Sequence, residues 1–418
     1  MPPPPRLLLP ATATLFVALL ALPASAQTGD TVAGDAGVPT GDAVPPDAPF
    51  AQQPSPGTPA PQPTRVAGAA QAFGPARGRN PGLRDDRRGS STQLRSAGRS
   101  VLHRWIDLQA AFVDFRYRYI QTSRDLVTND QLQHKQGLRI GVKLDPDGRY
   151  TVRTFTGTGN AFSSSWDNTG LGTGEANWPI AMRQFYFSAK PGRGLTGELG
   201  GMAQLKGQAT EITTFDNDNY LVAYRGRVER PETIYLDEVS VTIGHVGDFG
   251  EANVFERLDR LNDHNYTQVL VGKRVSDRLA VTADWEELEG VSTLHQAVRV
   301  MTHGWHVLHG VRFEQYQRVE GATGYGLGLT LEKRLTRTVS VAGGFARIDG
   351  DHPPINGDRY GRGKRLFVDG TIALTPELTV NLYYNHALGN DFFLPNDQRF
   401  DVVASYDVRG ALERAGAW

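Results

Sequence analysis

From about position 105 onward, apolar and polar residues alternate with period two. Val113, Phe115, Tyr117 and Tyr119 fall on one face of an extended segment, and Asp114, Arg116 and Arg118 fall on the other. Only a strand with two chemically different faces needs that spacing. Leu138, Ile140, Val142 and Leu144 then alternate with Arg139 and Lys143, and Asp145-Pro146-Asp147-Gly148 provides the residues of a tight turn. The pattern resumes with Tyr150 and Val152 against Arg149, Thr151 and Arg153, which predicts a hairpin. Period two fits a soluble sandwich, with its apolar face in the core, as well as it fits a barrel with that face in lipid.

The connections separate the two. Seven short ones are predicted at 145–148, 190–194, 245–250, 276–278, 302–304, 336–337 and 375–377. They alternate with eight longer stretches, at 122–132, 157–179, 207–231, 260–264, 287–292, 317–323, 349–363 and 389–397. The order predicts an all-β fold, a transmembrane antiparallel up-and-down β-barrel of 16 strands. Short turns at one end and long loops at the other are the habit of outer-membrane barrels, with the turns in the periplasm and both barrel termini beside them. The weakest predicted strand is 253–259; its loss lowers the count to 14, and 18 is the neighbouring even number.

Composition changes the picture at the front of the chain. Arg6, an apolar run over 7–22 and Ala24-Ser25-Ala26 read as a secretory signal over 1–26, cleaved after Ala26. Pro10 interrupts the run, leaving it shorter than the ~20 residues that cross a bilayer. Residues 27–103 are predicted to be a disordered tail, first rich in Pro, Ala and Gly, then in Arg from about 76. A solvated periplasmic linker or a contact with anionic polymer or lipid headgroups accounts for that basic stretch. The barrel is assigned to 104–418. The formal net charge of −1 gives no bulk attraction to nucleic acid. With no cysteine there is no disulfide frame, no thiolate metal site and no lipid-accepting residue after the leader.

Parity assigns the inner face. Arg116, Arg118, Arg139, Lys143, Arg149 and Arg153, opposed mainly by Asp114, predict a basic wall from the first three strands. Later strands place Glu238, Asp284, Glu286, Glu314, Glu332, Asp369, Asp401 and Asp407 on the same face, mixed with Arg299, Arg312 and Arg365. A basic wall facing a more acidic one sets a field across the lumen that orients polar solutes, although facing charges also pair simply to satisfy one another.

Other constellations are weaker. His303, His306 and His309 are spaced by three, which on a strand puts neighbours on opposite faces, so no metal is expected. Asp216-Asn217-Asp218-Asn219 lacks the spaced acids of a calcium loop. Gly324, Gly326 and Gly328 sit inside an alternating strand with no helix following, so close strand approach explains them better than phosphate binding. No nucleophile elbow is present and no cofactor is implied, so the chain is not expected to be an enzyme.

The alternating hairpins, the last strand of Phe400, Val402, Ala404, Tyr406 and Val408, and the terminal Trp418 resemble bacterial outer-membrane porins and, more loosely, the alginate-export-like family of barrels. The resemblance implies a channel for passive diffusion of small polar or anionic solutes, with a barrel that binds or exports surface polysaccharide through its long loops as the alternative. It also implies outer-membrane lipids, lipopolysaccharide and the barrel assembly machinery as partners, and is compatible with a homotrimer.

Overall fold

A computed structural model describes residues 104–121, 127–159, 164–192, 194–212, 220–229, 235–247, 250–302, 307–319, 324–349, 363–389, 398–416 and 418. The expectations for 1–103 lie outside these residues. Alternation becomes a ring of strands: β1 (Ile106–Gln121), β2 (Val127–Lys143), β3 (Tyr150–Thr158), the short β4 (Asp167–Gly172), β5 (Ile180–Gly192), β6 (Leu195–Met202), β7 (Leu221–Glu229), β8 (Glu238–His245) and β9 (Tyr266–Ser276). The ring continues with β10 (Leu279–Leu288), β11 (Val291–Met301), β12 (Gly310–Arg318), β13 (Tyr325–Arg334), β14 (Val339–Ile348), β15 (Gly363–Ala373), β16 (Leu378–Ala387) and β17 (Gln398–Asp407).

Every pairing is antiparallel between neighbours, and β17 pairs back onto β1 from Phe112↔Asp407 to Gln121↔Gln398, which closes the sheet. β4 is not a stave of its own. It pairs with β2 beyond the end of β3, at Gln131↔Gly172 and His134↔Asp167, while β3 pairs onward to β5. The barrel therefore has 16 staves, and closure leaves no unpaired edge.

The predicted number is right, but two of its parts are not. Residues 221–229, read from sequence as loop, form β7: Tyr224 and Gly226 are exposed on one face, while Arg225 and Arg227 are buried on the other. Residues 253–259, read as a strand, contain two 3-10 segments, Val254–Glu256 and Leu258–Asn262. The first is capped by Asn253, whose side chain accepts from the Phe255 amide. Val254 is fully buried with Met202, Tyr220 and Leu221, which is what holds the segment on the barrel.

Boundaries moved as well. β2 begins at Val127 rather than after 132, and the connection read as 287–292 is a two-residue turn, Glu289-Gly290, with φ of 51° and 79°. Positive φ at both positions is what a tight hairpin turn demands, and Gly290 accepts it without strain. At the other end, 302–304 extends to the start of β12 at Gly310. After β17 the chain does not continue as strand through Val408. It turns into α1 (Val408–Arg414), capped by Asp407, whose side chain accepts from the Gly410 amide.

The faces sort as the alternation requires. Phe115, Leu138, Val241, Ile243, Phe313, Leu329, Leu331, Val368 and Leu382 are exposed on the outside of the ring. Tyr117, Tyr384 and Phe400 stand on the outer face toward the loop end, and Tyr150 and Tyr406 toward the turn end. In the turn after β2, the Asp145 carboxylate accepts the Tyr150 amide at 2.7 Å, and that hydrogen bond holds its pKa below the usual carboxylate value.

Candidate functional site

The interior is built by the residues between the outward ones. In a closed ring of 16 staves, β10 stands eight places from β1, so β1–β3 face β10–β12 across the lumen. The two arcs carry different charges. On the first, Arg116, Arg118 and Lys135 are buried and Arg139, Lys143 and Arg153 half-buried, with Asp114 opposite Lys135 in register. β5 adds buried Arg183. On the second, Asp284, Glu286 and Glu314 are buried with Arg312, and Glu332 lies on the adjacent β13.

Neutral side chains and aromatic faces are among the partners of these cations. Arg116 donates to the Gln133 side-chain oxygen at 2.8 Å, and its guanidinium lies 4.1 Å from the centre of the Trp166 ring. Lys135 approaches Phe112 and Trp166 at 5.5 and 5.9 Å, and Arg139 sits 4.9 Å over Phe155. Trp166 comes from the connection between β3 and β4, where the Thr158 hydroxyl donates to the Ser165 carbonyl at 2.8 Å.

Arg118 differs. It forms a two-point pair with Asp401 at 3.0 Å on each bond, and Arg399 reaches the same carboxylate at 2.6 Å. This pair spans β1 and β17, the seam that closes the ring. Arg118→Ala leaves an acid and a second cation buried without it, and should cost about 3 kcal/mol. Urea unfolding in detergent reads the loss, and Arg118→Met with Asp401→Leu should recover most of it.

The segment after β6 folds inward along the acidic arc. The Gln204 side-chain amide donates to Tyr266 Oη at 3.0 Å and to Glu286, and Gln268 donates to the Leu205 carbonyl at 3.0 Å. The Ala209 amide meets Thr282 Oγ1 at 3.2 Å. The amides of Glu211 and Ile212 then both donate to one oxygen of Glu314 at 2.8 Å, while the Glu211 carboxylate pairs with Arg312. Ile212 ends buried against Tyr316, Ala346 and Ile348. Gly207 is required for this approach, because a Cβ there would stand 1.9 Å from Thr282 Cγ2. The segment thus runs along the inside of β9, β10, β12 and β14 and narrows the lumen from that side.

His295 braces the anchor. Its Nδ1 lies 2.9 Å from Asp284 and its Nε2 3.2 Å from Glu314, both ring nitrogens facing carboxylates. One strand on, Glu332 bridges Arg299 at 2.7 Å and Arg312 at 3.3 Å.

Of the residues singled out from sequence, Arg149 is not part of the inner face. It precedes β3 in an exposed turn and pairs with Asp147 at 3.4 Å. Asp407, although in phase with the inner face, is spent on capping α1. Asp369 is buried on β15 and Arg365 donates to Asn385 at 2.7 Å. Sequence reading passed over Lys135, Trp166, Arg183, Arg225, Arg227, Glu211 and His295. Lys135 and His295 were legible as members of alternating runs; Trp166 and Glu211 act only because their connections turn inward, which no local pattern marks.

His303, His306 and the 216–219 run lie outside the described residues, and His309 accepts the Arg334 amide at 3.2 Å. Among the described residues no group of three His, Asp or Glu side chains is placed to hold a metal, and no helix is long and apolar enough to cross a membrane, which says nothing of a barrel.

No family model matches the chain, and no curated protein does. Solved structures similar to it include engineered variants of the porin of Rhodopseudomonas blastica. A triple mutant is 12% identical with a TM-score of 0.48, and another variant is 11% identical with a TM-score of 0.49; each covers 72% of this chain and 99% of the other.

Proposed function

We propose that this chain forms a diffusion channel of the bacterial outer membrane that passes small polar or anionic solutes. The observation that carries the reading is the pair of opposed arcs: a cation-rich wall from β1–β3 and β5 faces an acid-rich wall on β10–β12 across a closed ring, with residues 203–212 laid along the acidic side. A ring of 16 staves is wide enough for an aqueous lumen. The opposed charges set a transverse field that aligns dipolar solutes, and the inward segment sets the size limit. The apolar outer face with aromatic residues toward both ends suits lipid.

In this reading the leader directs export and is removed after Ala26, the assembly machinery inserts the barrel, and Arg139, Lys143 and Arg153 with Asp284, Glu286, Glu314, Arg312 and Asp369 line or shape the path. A homotrimer is compatible with it.

Liposome swelling tests the size limit. Vesicles holding the protein should swell quickly in small sugars and amino acids and slowly in trisaccharides. Equal rates with protein-free vesicles would defeat the proposal.

A further inference from the structure

A closed ring of staves has one joint that no connection of the chain secures. Neighbouring staves elsewhere follow one another in sequence, but β17 meets β1 only through the ladder and through side chains, so parting there strains no loop. Toward the loop end Arg118 and Arg399 share Asp401 across or beside this seam. At the turn end the ladder stops first. β17 pairs with β1 from Gln121↔Gln398 down to Phe112↔Asp407, whereas β1 continues on β2 down to Ile106. α1 begins at that point and packs against β1 in the place of a longer β17.

The helix is anchored on both sides of the seam. Behind it, the Asp407 amide donates to the Glu377 carbonyl at 2.8 Å and Arg414 pairs with the Glu377 carboxylate, which fixes both ends of α1 to the turn before β16. In front, Arg409 Nη1 donates to the Gln109 carbonyl on β1 at 2.7 Å. Gln109 sits where the β1–β2 register shifts between Leu108 and Ala110, an irregularity of the kind that leaves a residue out of the ladder. Glu413, four residues on, aims the guanidinium: it accepts from Nε at 2.8 Å and lies 2.7 Å from Nη2. A helix of 7 residues is about 10 Å long and two strand spacings are about 10 Å, so α1 has the reach to join the foot of β16 to β1. The bond that crosses the seam carries a full charge on its donor and is therefore stronger than a neutral one.

We propose that α1 is a latch on the seam: it docks only on the closed ring and keeps β1 and β17 from parting at the turn end, where parting would open the lumen sideways. A contact available only in the closed state shifts the balance toward that state by its full strength. The latch does not depend on what the lumen passes and stands apart from the channel reading.

Hydrogen exchange of the full chain in detergent micelles, read peptide by peptide by mass spectrometry, tests it. Removing residues 409–418 should speed exchange of the seam amides, in 112–121 and 398–407, by about tenfold and leave β8–β10 on the far side of the ring unchanged. Arg409→Gln should speed the same amides roughly threefold, and Arg409→Lys, which keeps a cation at the carbonyl, should speed them less than Gln does. Seam amides that keep the parent's rate without 409–418, or an acceleration shared equally by all staves, overturn the latch. Should the shortened chain not fold, Arg409→Gln decides, since it changes one side chain of the helix; an unchanged rate at the seam overturns the latch equally.

Discussion

Excising residues 205–211 and joining the ends through two glycines should raise single-channel conductance roughly two- to threefold. The segment is fixed by discrete contacts on the inner wall: the Gln268 bond to the Leu205 carbonyl, the Thr282 bond to the Ala209 amide and the two amides held by Glu314. None of these belongs to the strand ladder, so the ring closes without them. A gentler version is Glu314→Gln. A neutral amide accepts hydrogen bonds more weakly than a carboxylate, and His295 loses its charged partner on that side. Conductance should then fluctuate between levels while the mean rises modestly. Unchanged conductance on excision would place the narrowest point elsewhere.

Reversing Arg139, Lys143 and Arg153 to Glu should change the sign of the lumen's preference. These three are the half-buried cations of the first arc, whereas Arg116 and Arg118 are nearly inaccessible and Arg118 is committed to Asp401. Three reversals shift the local charge by six units against an opposite wall that is already acidic. In a salt gradient the zero-current potential should move by about 20 mV or more toward cations, and raising the salt concentration should shrink the shift because screening shortens the reach of these charges. The parent should pass small carboxylates faster than amines of equal size in swelling assays, and the variant should invert that order.

Much of the fold was legible because a strand with one apolar face and one polar face must alternate, and β1, β3, β13, β17 and the second half of β2 do so with little interruption. The count of 16 survived two errors that offset each other. β7 was hidden because Gly226 stands where an outward apolar residue would be expected and Arg225 and Arg227 make the run look like loop. Residues 253–259 mimicked a strand because Val254, Phe255 and Leu258 are apolar, yet Val254 is buried by loop packing. The inner charges on strands followed from parity alone. What sequence could not mark was the contribution of the connections. Trp166 and Glu211 reach the lumen through the path of the chain at Thr158–Ser165 and at Glu314, contacts between residues 7 and 103 positions apart. Arg149 failed in the opposite direction, in phase with the strand but one residue before it begins.

An open, water-filled ring narrowed from one side must conduct ions, and single-channel recording in planar bilayers reads that conduction. Purified full-length protein that migrates as a folded barrel should insert in discrete steps, each adding the same conductance, with an ohmic open level that scales with salt. Folded protein that inserts and yields no steps at any salt or voltage would contradict it.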